Sequence, residues 1–268
     1  MTPLEILALA ASAFAAGIMN AMAGGGTILT FPTLLLIGVS PITANATSTV
    51  ALLPGVVASL AGYRREVRAH RPWLKTLFVP SLVGGALGSV LLLRTPEKLF
   101  AALAPQLVLF ATVLFMLQGL VARRVARRAG GEAPAAPLNP ATPGGLTASR
   151  FAIASLLQLG VAIYGGYFGA GIGILMLALL GFLGLSDIHA MNGLKAFFNF
   201  TINSVAAAWF IVQGAVDWPA ALVLAVGAVA GGYGGARLAR RIGQKKARAA
   251  VVVIGLLVTA VLFWQQTR

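Results

Sequence analysis

The sequence predicts an all-α, polytopic membrane protein built from two inverted repeats, each with a glycine-broken re-entrant helical hairpin plus three spanning helices. Three observations lead to this prediction: an apolar composition, a set of apolar segments that recurs after a central linker, and the distribution of basic residues. Of the 268 residues, 59% are hydrophobic and 10% are charged, and the mean hydropathy is +0.90. A soluble domain is typically about 45–50% apolar and about 25% charged. The composition therefore indicates a membrane protein without a sizeable soluble domain.

Apolar segments follow one another along the chain in two sets. The first set spans about 4–23, 27–38, 42–62, 76–93 and 99–121, and the second spans about 151–169, 173–184, 188–212, 219–236 and 249–265. In each set the second segment has only about 12 residues, which rise about 18 Å as a helix. That length does not cross a hydrocarbon core of about 30 Å. We therefore predict that each short segment is a re-entrant half-helix and forms a hairpin with the segment before it.

The two sets are separated by a segment of different composition. It contains Pro134, Pro137, Pro140 and Pro143, which is typical of a polar, irregular linker. We assign 1–121 to a first transmembrane repeat, 122–150 to a cytoplasmic linker and 151–268 to a second, inverted transmembrane repeat. An offset of 146 residues aligns Leu34, Gly38, Ser40, Ile42 and Ala44 with Leu180, Gly184, Ser186, Ile188 and Ala190. This block predicts an internal duplication within one integral membrane domain.

The basic residues indicate how the repeats are oriented. The basic loop at 64–75 corresponds to 213–218, which has no Lys or Arg, whereas the thinly charged 94–98 corresponds to the strongly basic 237–248. Basic loops stay on the cytoplasmic side of a membrane. Because basic and non-basic loops exchange places, the repeats are predicted to be inverted. Both termini are then expected outside, in the periplasm, and the linker inside.

The scarcity of reactive side chains excludes most enzyme classes. The chain has no Cys, two His and six carboxylates, and it contains no metalloprotease, nucleophile-elbow or P-loop motif. We therefore expect no catalytic residues, no metal and no cofactor. The net charge of +14 would suggest nucleic acid in a soluble chain, but here the basic residues fall in loops. The expected surroundings are a lipid bilayer, with no nucleic-acid partner.

Glycine clusters interrupt the apolar run at the same place in both repeats. Gly24, Gly25 and Gly26 precede the first short segment, and Gly165, Gly166, Gly169, Gly171 and Gly173 surround the start of the second. Glycine weakens a helix, so we expect a break near the bilayer midplane at each cluster. The helix N-termini that follow, at about Thr27 and Ile174, favour an anion. The alternative is close helix packing, which we expect instead for Gly84, Gly85, Gly88 and the run 231–235.

A lysine lies well inside the apolar segment that follows the second break. Lys195, Asn199 and Asn203 recur every four residues and so share one helix face. A lysine at this depth is costly unless it is solvated or paired, which favours a polar cavity. Two alternatives remain: Lys195 snorkels to the inner interface, or it pairs with Asp187. His189 is a candidate for proton coupling, against the alternative that it is an interfacial residue.

The candidate ligand-binding residues combine both glycine breaks with the polar residues that follow them. They are Asn20, Gly24, Gly25, Gly26, Thr27, Asn45, Thr49, Gly169, Gly171, Gly173, Asn192, Lys195, Asn199 and Asn203. Thr49 and its neighbours are the weaker members of this set, because Ser and Thr in spanning helices often serve structural contacts.

Two stretches carry a resemblance to a known family. AGIMNAMAGGGTILTFPTLLLIGVSPITANATS in the first repeat, and GGYFGAGIGILMLALLGFLGL followed by NGLKAFFNFTINS in the second, resemble the TauE/SafE (DUF81) family of sulfite exporter-like permeases. The resemblance covers nearly the whole chain except the linker. It implies a duplicated transporter in the bacterial inner membrane for small sulfur-containing anions such as sulfite, thiosulfate and organosulfonates. Alternating access of two inverted repeats around a midplane site is the expected mechanism.

The residues leave other functions open. A channel-like anion pore would use the same residues, and a transporter of another small metabolite is a further alternative. A metal cation is disfavoured as the substrate, because carboxylates deep in the segments and Cys are missing. Direction of transport, coupling ion and oligomeric state do not follow from the sequence, so a homodimer stands as an open possibility.

Overall fold

The protein is an all-α bundle in the computed structural model, which describes residues 1–22, 25–130, 148–185, 187–242 and 244–266. The helices are α1 Pro3–Met22, α2 Thr27–Leu36, α3 Pro41–Gly62, α4 Arg64–Ala69, α5 Arg71–Arg94, α6 Glu97–Gly130, α7 Ala148–Tyr167, α8 Ile172–Phe182, α9 Ile188–Val212, α10 Trp218–Ile242 and α11 Gln244–Gln266. Apart from α4, each helix covers one of the predicted apolar segments. The predicted all-α class is confirmed.

Several of these helices are suited to a membrane. Within the described residues, five helical stretches are long and apolar enough to cross a bilayer: Pro3–Asn20, Pro41–Gly62, Arg71–Arg94, Glu97–Leu117 and Ile188–Val212. In contrast, α2 and α8 have 10 and 11 residues. They rise only about 15–17 Å, roughly half of a hydrocarbon core. The protein is therefore multi-pass, and α2 and α8 have the length predicted for half-helices.

The linker differs from its prediction at one end. Helix α6 continues to Gly130, although 122–130 was assigned to the irregular linker. The reason is that RRVARRA is rich in Ala and Arg, which are good helix formers, and that the first proline comes only at Pro134. Similarly, the basic loop contains the short helix α4, which the apolar pattern did not predict. Gly24 and the linker residues 131–147 lie outside the described residues, and the division into domains stays a prediction.

The two halves of the chain pack through equivalent helices. Helix α1 packs most extensively on α10, and its counterpart α7 packs most extensively on α5, the counterpart of α10. Glycines allow both contacts: a Cβ on Gly231 would overlap the backbone of Phe14, and a Cβ on Gly88 would overlap the backbone of Ile163. The prediction that these glycines serve close packing is confirmed. Each contact joins a helix of one half to a helix of the other, and the two contacts involve equivalent helices. This is the arrangement expected of a duplicated chain.

Helices α3 and α9 run in opposite directions. Near the start of α3, the Thr47 hydroxyl accepts a hydrogen bond from the backbone N–H of Asp217, just beyond the end of α9. Near the start of α9, a Cβ on Gly193 would lie 2.8 Å from the Cβ of Glu66, just beyond the end of α3. Each helix thus begins where the other ends. This course supports the predicted inversion of the repeats, which itself stays a prediction.

An aromatic cluster holds the second glycine break against the first half. Phe31 of α2 packs edge-on against Phe168, with ring centroids 5.2 Å apart, and against Phe100 of α6 at 6.3 Å. Tyr167 packs on Phe100 at 5.7 Å. Phe31, Phe100 and Phe168 are fully buried. The cluster therefore fixes the end of α7 relative to α2, which positions the site described next.

Candidate functional site

The two glycine breaks meet inside the bundle. Gly25 and Gly171, which are equivalent at the 146-residue offset, both have a positive φ, +105° and +79°. A Cβ added to Gly25 would lie 3.5 Å from the backbone N of Gly171 and 3.1 Å from Cε of Met19. Glycine is the residue that adopts positive φ without strain and allows such a close approach. The structure therefore brings together the two bends that the sequence placed in separate repeats.

Each bend leads directly into a half-helix without a capping side chain. Gly26 occupies the N-cap of α2 and Gly171 occupies the N-cap of α8, and a glycine has no side chain that could cap the helix. At the equivalent positions Thr27 and Gly173, the backbone N–H has no hydrogen-bond partner among the described residues. Free N–H groups and the positive end of the helix dipole favour an anion. This geometry fits the predicted use of Thr27, Gly171 and Gly173.

The first bend is closed by a side chain of α1. Oδ1 of Asn20 accepts a hydrogen bond from the backbone N–H of Gly26 at 2.8 Å. A Cβ on Gly26 would lie 2.9 Å from the carbonyl oxygen of Ala16 and from Nδ2 of Asn20. The N–H of Gly26, predicted to face a ligand, is therefore used within the protein. Asn20 is a positioning residue for the bend.

The second bend also differs in detail from its prediction. The N–H groups of Phe168 and Gly169 both donate to the carbonyl oxygen of Tyr164, at 2.9 and 3.1 Å. Gly169, with φ +75°, thus closes the C-terminus of α7, as glycines commonly do. The N–H of Gly169, a predicted ligand-binding residue, is therefore used within the protein, because the end of a helix must first satisfy its own carbonyls.

Tyr164 is a residue of the bend that the sequence reasoning missed. Its hydroxyl donates to the carbonyl oxygen of Ala170 at 2.6 Å and so ties α7 to the residue before α8. Its ring stacks edge-on against Phe110 of α6 with centroids 5.5 Å apart. A tyrosine in an apolar segment beside the glycine pair was the available signal, since a buried tyrosine hydroxyl normally has a partner.

Polar side chains of α3 and α9 surround the second bend. Nδ2 of Asn45 donates to the carbonyl oxygen of Tyr167 at 2.8 Å, and Nδ2 of Asn203 donates to the carbonyl oxygen of Asn199 at 2.8 Å. Asn45 is 1% exposed, and its Oδ1 has no hydrogen-bond partner among the described residues. Oδ1 of Asn199 is likewise buried and unpartnered. The hydroxyl of Thr49 donates to the carbonyl of Asn45 within α3, a structural role.

Lys195 is a buried residue of α9. It is 8% exposed, and its Nζ donates to Oδ1 of Asn192 at 2.9 Å. The alternative pairing with Asp187 is not present: that carboxylate accepts the backbone N–H of His189 at 2.9 Å and caps α9. No ion pair to Lys195 occurs within the described part of the chain. The amide of Asn192 therefore holds the ammonium in place.

Lys195 and His189 are not joined to the glycine bends. Lys195 precedes Asn203 by two helical turns, about 12 Å along α9, and so lies towards the end where α4 packs. His189 is exposed at the start of the same helix. The structure thus groups the candidate residues in two places. Asn20, Gly25, Gly26, Thr27, Asn45, Gly169, Gly171, Gly173 and Asn203 lie at or next to the bends, whereas Asn192 and Lys195 lie near the start of α9.

A multi-pass α-helical protein in which two broken helices meet in the core has an architecture typical of membrane transport proteins. The particular family follows from comparison: the family model described as sulfite exporter TauE/SafE matches residues 9–262. The chain belongs to this family. It is a membrane transporter, and the predicted family resemblance is confirmed.

Curated relatives agree with this assignment. A "Probable membrane transporter protein" of Haemophilus influenzae is 27% identical over 256 residues, covering 94% of this chain and 92% of the relative. The "Probable membrane transporter protein YfcA" of Escherichia coli K12 is 26% identical over 269 residues, covering 98% and 91%. The "Probable membrane transporter protein ORF9" of a Sinorhizobium species is 25% identical over 247 residues, covering 91% and 87%. No solved structure matches the chain.

Proposed function

We propose that the protein is a secondary transporter that exports small sulfur-containing anions, such as sulfite, thiosulfate or organosulfonates, across the bacterial inner membrane. Its termini lie in the periplasm and the anion binds near the bilayer midplane. The observation that carries the proposal is the close approach of Gly25 to Gly171, beside the N–H groups of Thr27 and Gly173, which have no hydrogen-bond partner among the described residues. The family name, sulfite exporter, supports the substrate class.

The chemistry of the bends favours an oxyanion. Backbone that is broken at membrane depth is tolerated only where it is buried in protein or lines a cavity. Two half-helix N-termini that meet there offer N–H donors and positive dipole ends to one ligand. A tetrahedral or pyramidal sulfur oxyanion has several acceptor oxygens and so accepts hydrogen bonds from both half-helices at once.

Lys195 supplies the attraction that brings the anion in. The ammonium is 8% exposed and held by Asn192 at the mouth near α4, about two helical turns from Asn203. A buried cation next to a pathway raises the local concentration of an anion, because the field is poorly screened there. Lys195 therefore acts at the entrance and the bends act as the site.

The packing of the two halves supports alternating access as the mechanism. The tight contacts α1 with α10 and α5 with α7 each join one half to the other, so the halves form two crossed pairs around the bends. Rocking of one pair against the other would expose the bends first to one side of the membrane and then to the other. The first bend follows α1 and the second follows α7, so each bend belongs to one pair and the site would open when the pairs part.

The test is transport by purified protein in proteoliposomes, with radiolabelled sulfite inside and a panel of unlabelled anions outside. Sulfite, thiosulfate and an organosulfonate are expected to exchange with saturable kinetics and to compete, whereas phosphate and lactate are not. Sulfite efflux whose rate rises linearly with concentration would instead indicate a channel-like pore. Exchange of lactate or phosphate without sulfite would overturn the substrate class.

A further inference from the structure

Oxygen atoms rather than N–H groups face the open side of Gly169. The position that a Cβ would occupy on Gly169 lies 3.0 Å from the carbonyl oxygen of Gly165 and 4.0 Å from Oδ1 of Asn203, and these are the only atoms within 4 Å beyond the chain neighbours among the described residues. The carbonyl of Gly165 has no hydrogen-bond donor in the described part of the chain, because the Gly169 N–H bonds to Tyr164 instead.

A further acceptor without a partner lies at the same helix end. Asn45 binds the carbonyl oxygen of Tyr167, and its Oδ1 is buried and unpartnered. The orientation of this amide is defined, since only Nδ2 is able to donate to a carbonyl oxygen. The same reasoning defines Asn203, whose Nδ2 donates to the carbonyl of Asn199. Both amides therefore present oxygen, and not nitrogen, away from their backbone partners.

These oxygens lie at the negative end of α7. The last carbonyls of a helix carry the negative end of its dipole, and a buried acceptor without a donor is costly. Such a group of neutral oxygens suits a cation of low charge. Divalent cations require carboxylates in most sites, and no Asp or Glu occurs on α3, α7, α8 or within α9.

We infer that Asn45 Oδ1, Asn203 Oδ1 and the Gly165 carbonyl, together with the C-terminal end of α7, bind a monovalent metal cation, Na⁺, beside the anion. In transporters with broken helices, half-helix C-termini and unwound carbonyls are suited to cations as half-helix N-termini are to anions. As a coupling site, the inference rests on the proposed transport function. The free N–H of Gly173 follows four residues after Gly169, so an anion there would have the cation as its neighbour.

The neighbouring charges stabilise one another. A single ion taken from water into the protein loses hydration that neutral dipoles replace only in part. When a cation and an anion enter together, their attraction offsets part of that cost. Na⁺ binding therefore strengthens anion binding, and the anion strengthens Na⁺ binding by the same factor. The bend of α7 into α8 is then a site for an ion pair rather than for an anion alone.

The cation site is tested first without any sulfur anion. Unfolding midpoints of the purified protein are measured in NaCl, KCl and choline chloride at equal ionic strength. We expect NaCl to raise the midpoint above choline chloride and above KCl, because only the bound ion stabilises the folded state. Equal midpoints in NaCl and choline chloride overturn the inference.

Variants of Asn203 test whether the Na⁺-dependent rise of the unfolding midpoint arises at this site. Asn203→Leu removes one oxygen and should weaken the Kd for Na⁺ at least about tenfold, or about 1.4 kcal/mol. Asn203→Asp keeps an oxygen and adds negative charge, so the Na⁺-dependent shift should persist or grow. Gln213→Leu, which removes an exposed amide beyond the end of α9, is the matched control and should behave as wild type. A full Na⁺ shift in Asn203→Leu overturns the assignment, as does loss of the shift in Asn203→Asp.

Transport separates this inference from the proposed function. With sulfite exchange established, replacing Na⁺ by choline on both sides should raise the half-saturation concentration for sulfite at least about tenfold. Sulfite kinetics that are identical in the two salts overturn the cation site and leave the anion transporter intact. A Na⁺-dependent rise in the unfolding midpoint without transport of any sulfur anion supports the cation site and contradicts the proposed function.

Discussion

Asn20 and Gly26 are joined across the first bend by a hydrogen bond of 2.8 Å between Oδ1 and the backbone N. The bond ties the last turn of α1 to the beginning of α2 and satisfies an N–H that the helix itself leaves unpaired. Tyr164 serves the second bend in a different way, through its hydroxyl and the carbonyl of Ala170. The two bends therefore share a glycine of positive φ, Gly25 and Gly171, but are held by unrelated side chains.

The first prediction is that Asn20→Leu destabilises the protein. The substitution leaves the N–H of Gly26 unpaired and should lower the free energy of unfolding by about 1–3 kcal/mol. Asn20→Asp keeps an acceptor and should recover most of this loss, while its negative charge beside the N-terminus of α2 should weaken anion binding. Thermal unfolding and sulfite exchange are measured on both variants. An unchanged unfolding midpoint in Asn20→Leu would contradict the role of this hydrogen bond.

The second prediction concerns the bends. Gly25→Leu and Gly171→Leu should abolish sulfite exchange, because a side chain would enter the contact between the bends and remove the close N–H groups. Both positions also have positive φ, which strains any side chain. Gly214→Leu controls for that strain, since Gly214 has φ +67° but has no atom within 4 Å of its Cβ position. Wild-type exchange by a correctly inserted Gly25→Leu or Gly171→Leu would reduce the bends to packing features.

The third prediction tests the inverted topology. The chain has no native cysteine, so single cysteines report without background. Val216→Cys in the turn between α9 and α10 should react with a membrane-impermeant maleimide in intact cells, because it lies outside. Gln244→Cys at the start of α11 should react only after the membrane is opened, because it lies inside. If both positions fall in the same accessibility class, the topology is wrong.

Local features of the fold could be predicted from sequence, and contacts between distant residues could not. The breaks before Thr27 and Ile172 follow from glycine, whose effect on a helix is local. The contact of Asn45 with the carbonyl of Tyr167 joins residues 122 positions apart and depends on how the helices pack. The bond from the N–H of Gly169 to the carbonyl of Tyr164 could not be predicted for the same reason. Whether its N–H is free depends on the way α7 ends, and that is set by the bond to Tyr164.

The fourth prediction concerns Lys195 and separates an electrostatic role from a structural one. Lys195→Met keeps the length and removes the charge, so it should raise the half-saturation concentration for sulfite at least about tenfold, or about 1.4 kcal/mol. Lys195→Arg should restore sulfite affinity only in part, because a planar guanidinium does not replace the compact ammonium that Asn192 holds. Lys98→Met is the matched control, since Lys98 is exposed at the start of α6. A lysine that only stabilised the fold would show lower expression with unchanged kinetics. Wild-type kinetics in purified Lys195→Met would therefore remove this residue from the pathway, whatever its effect on yield.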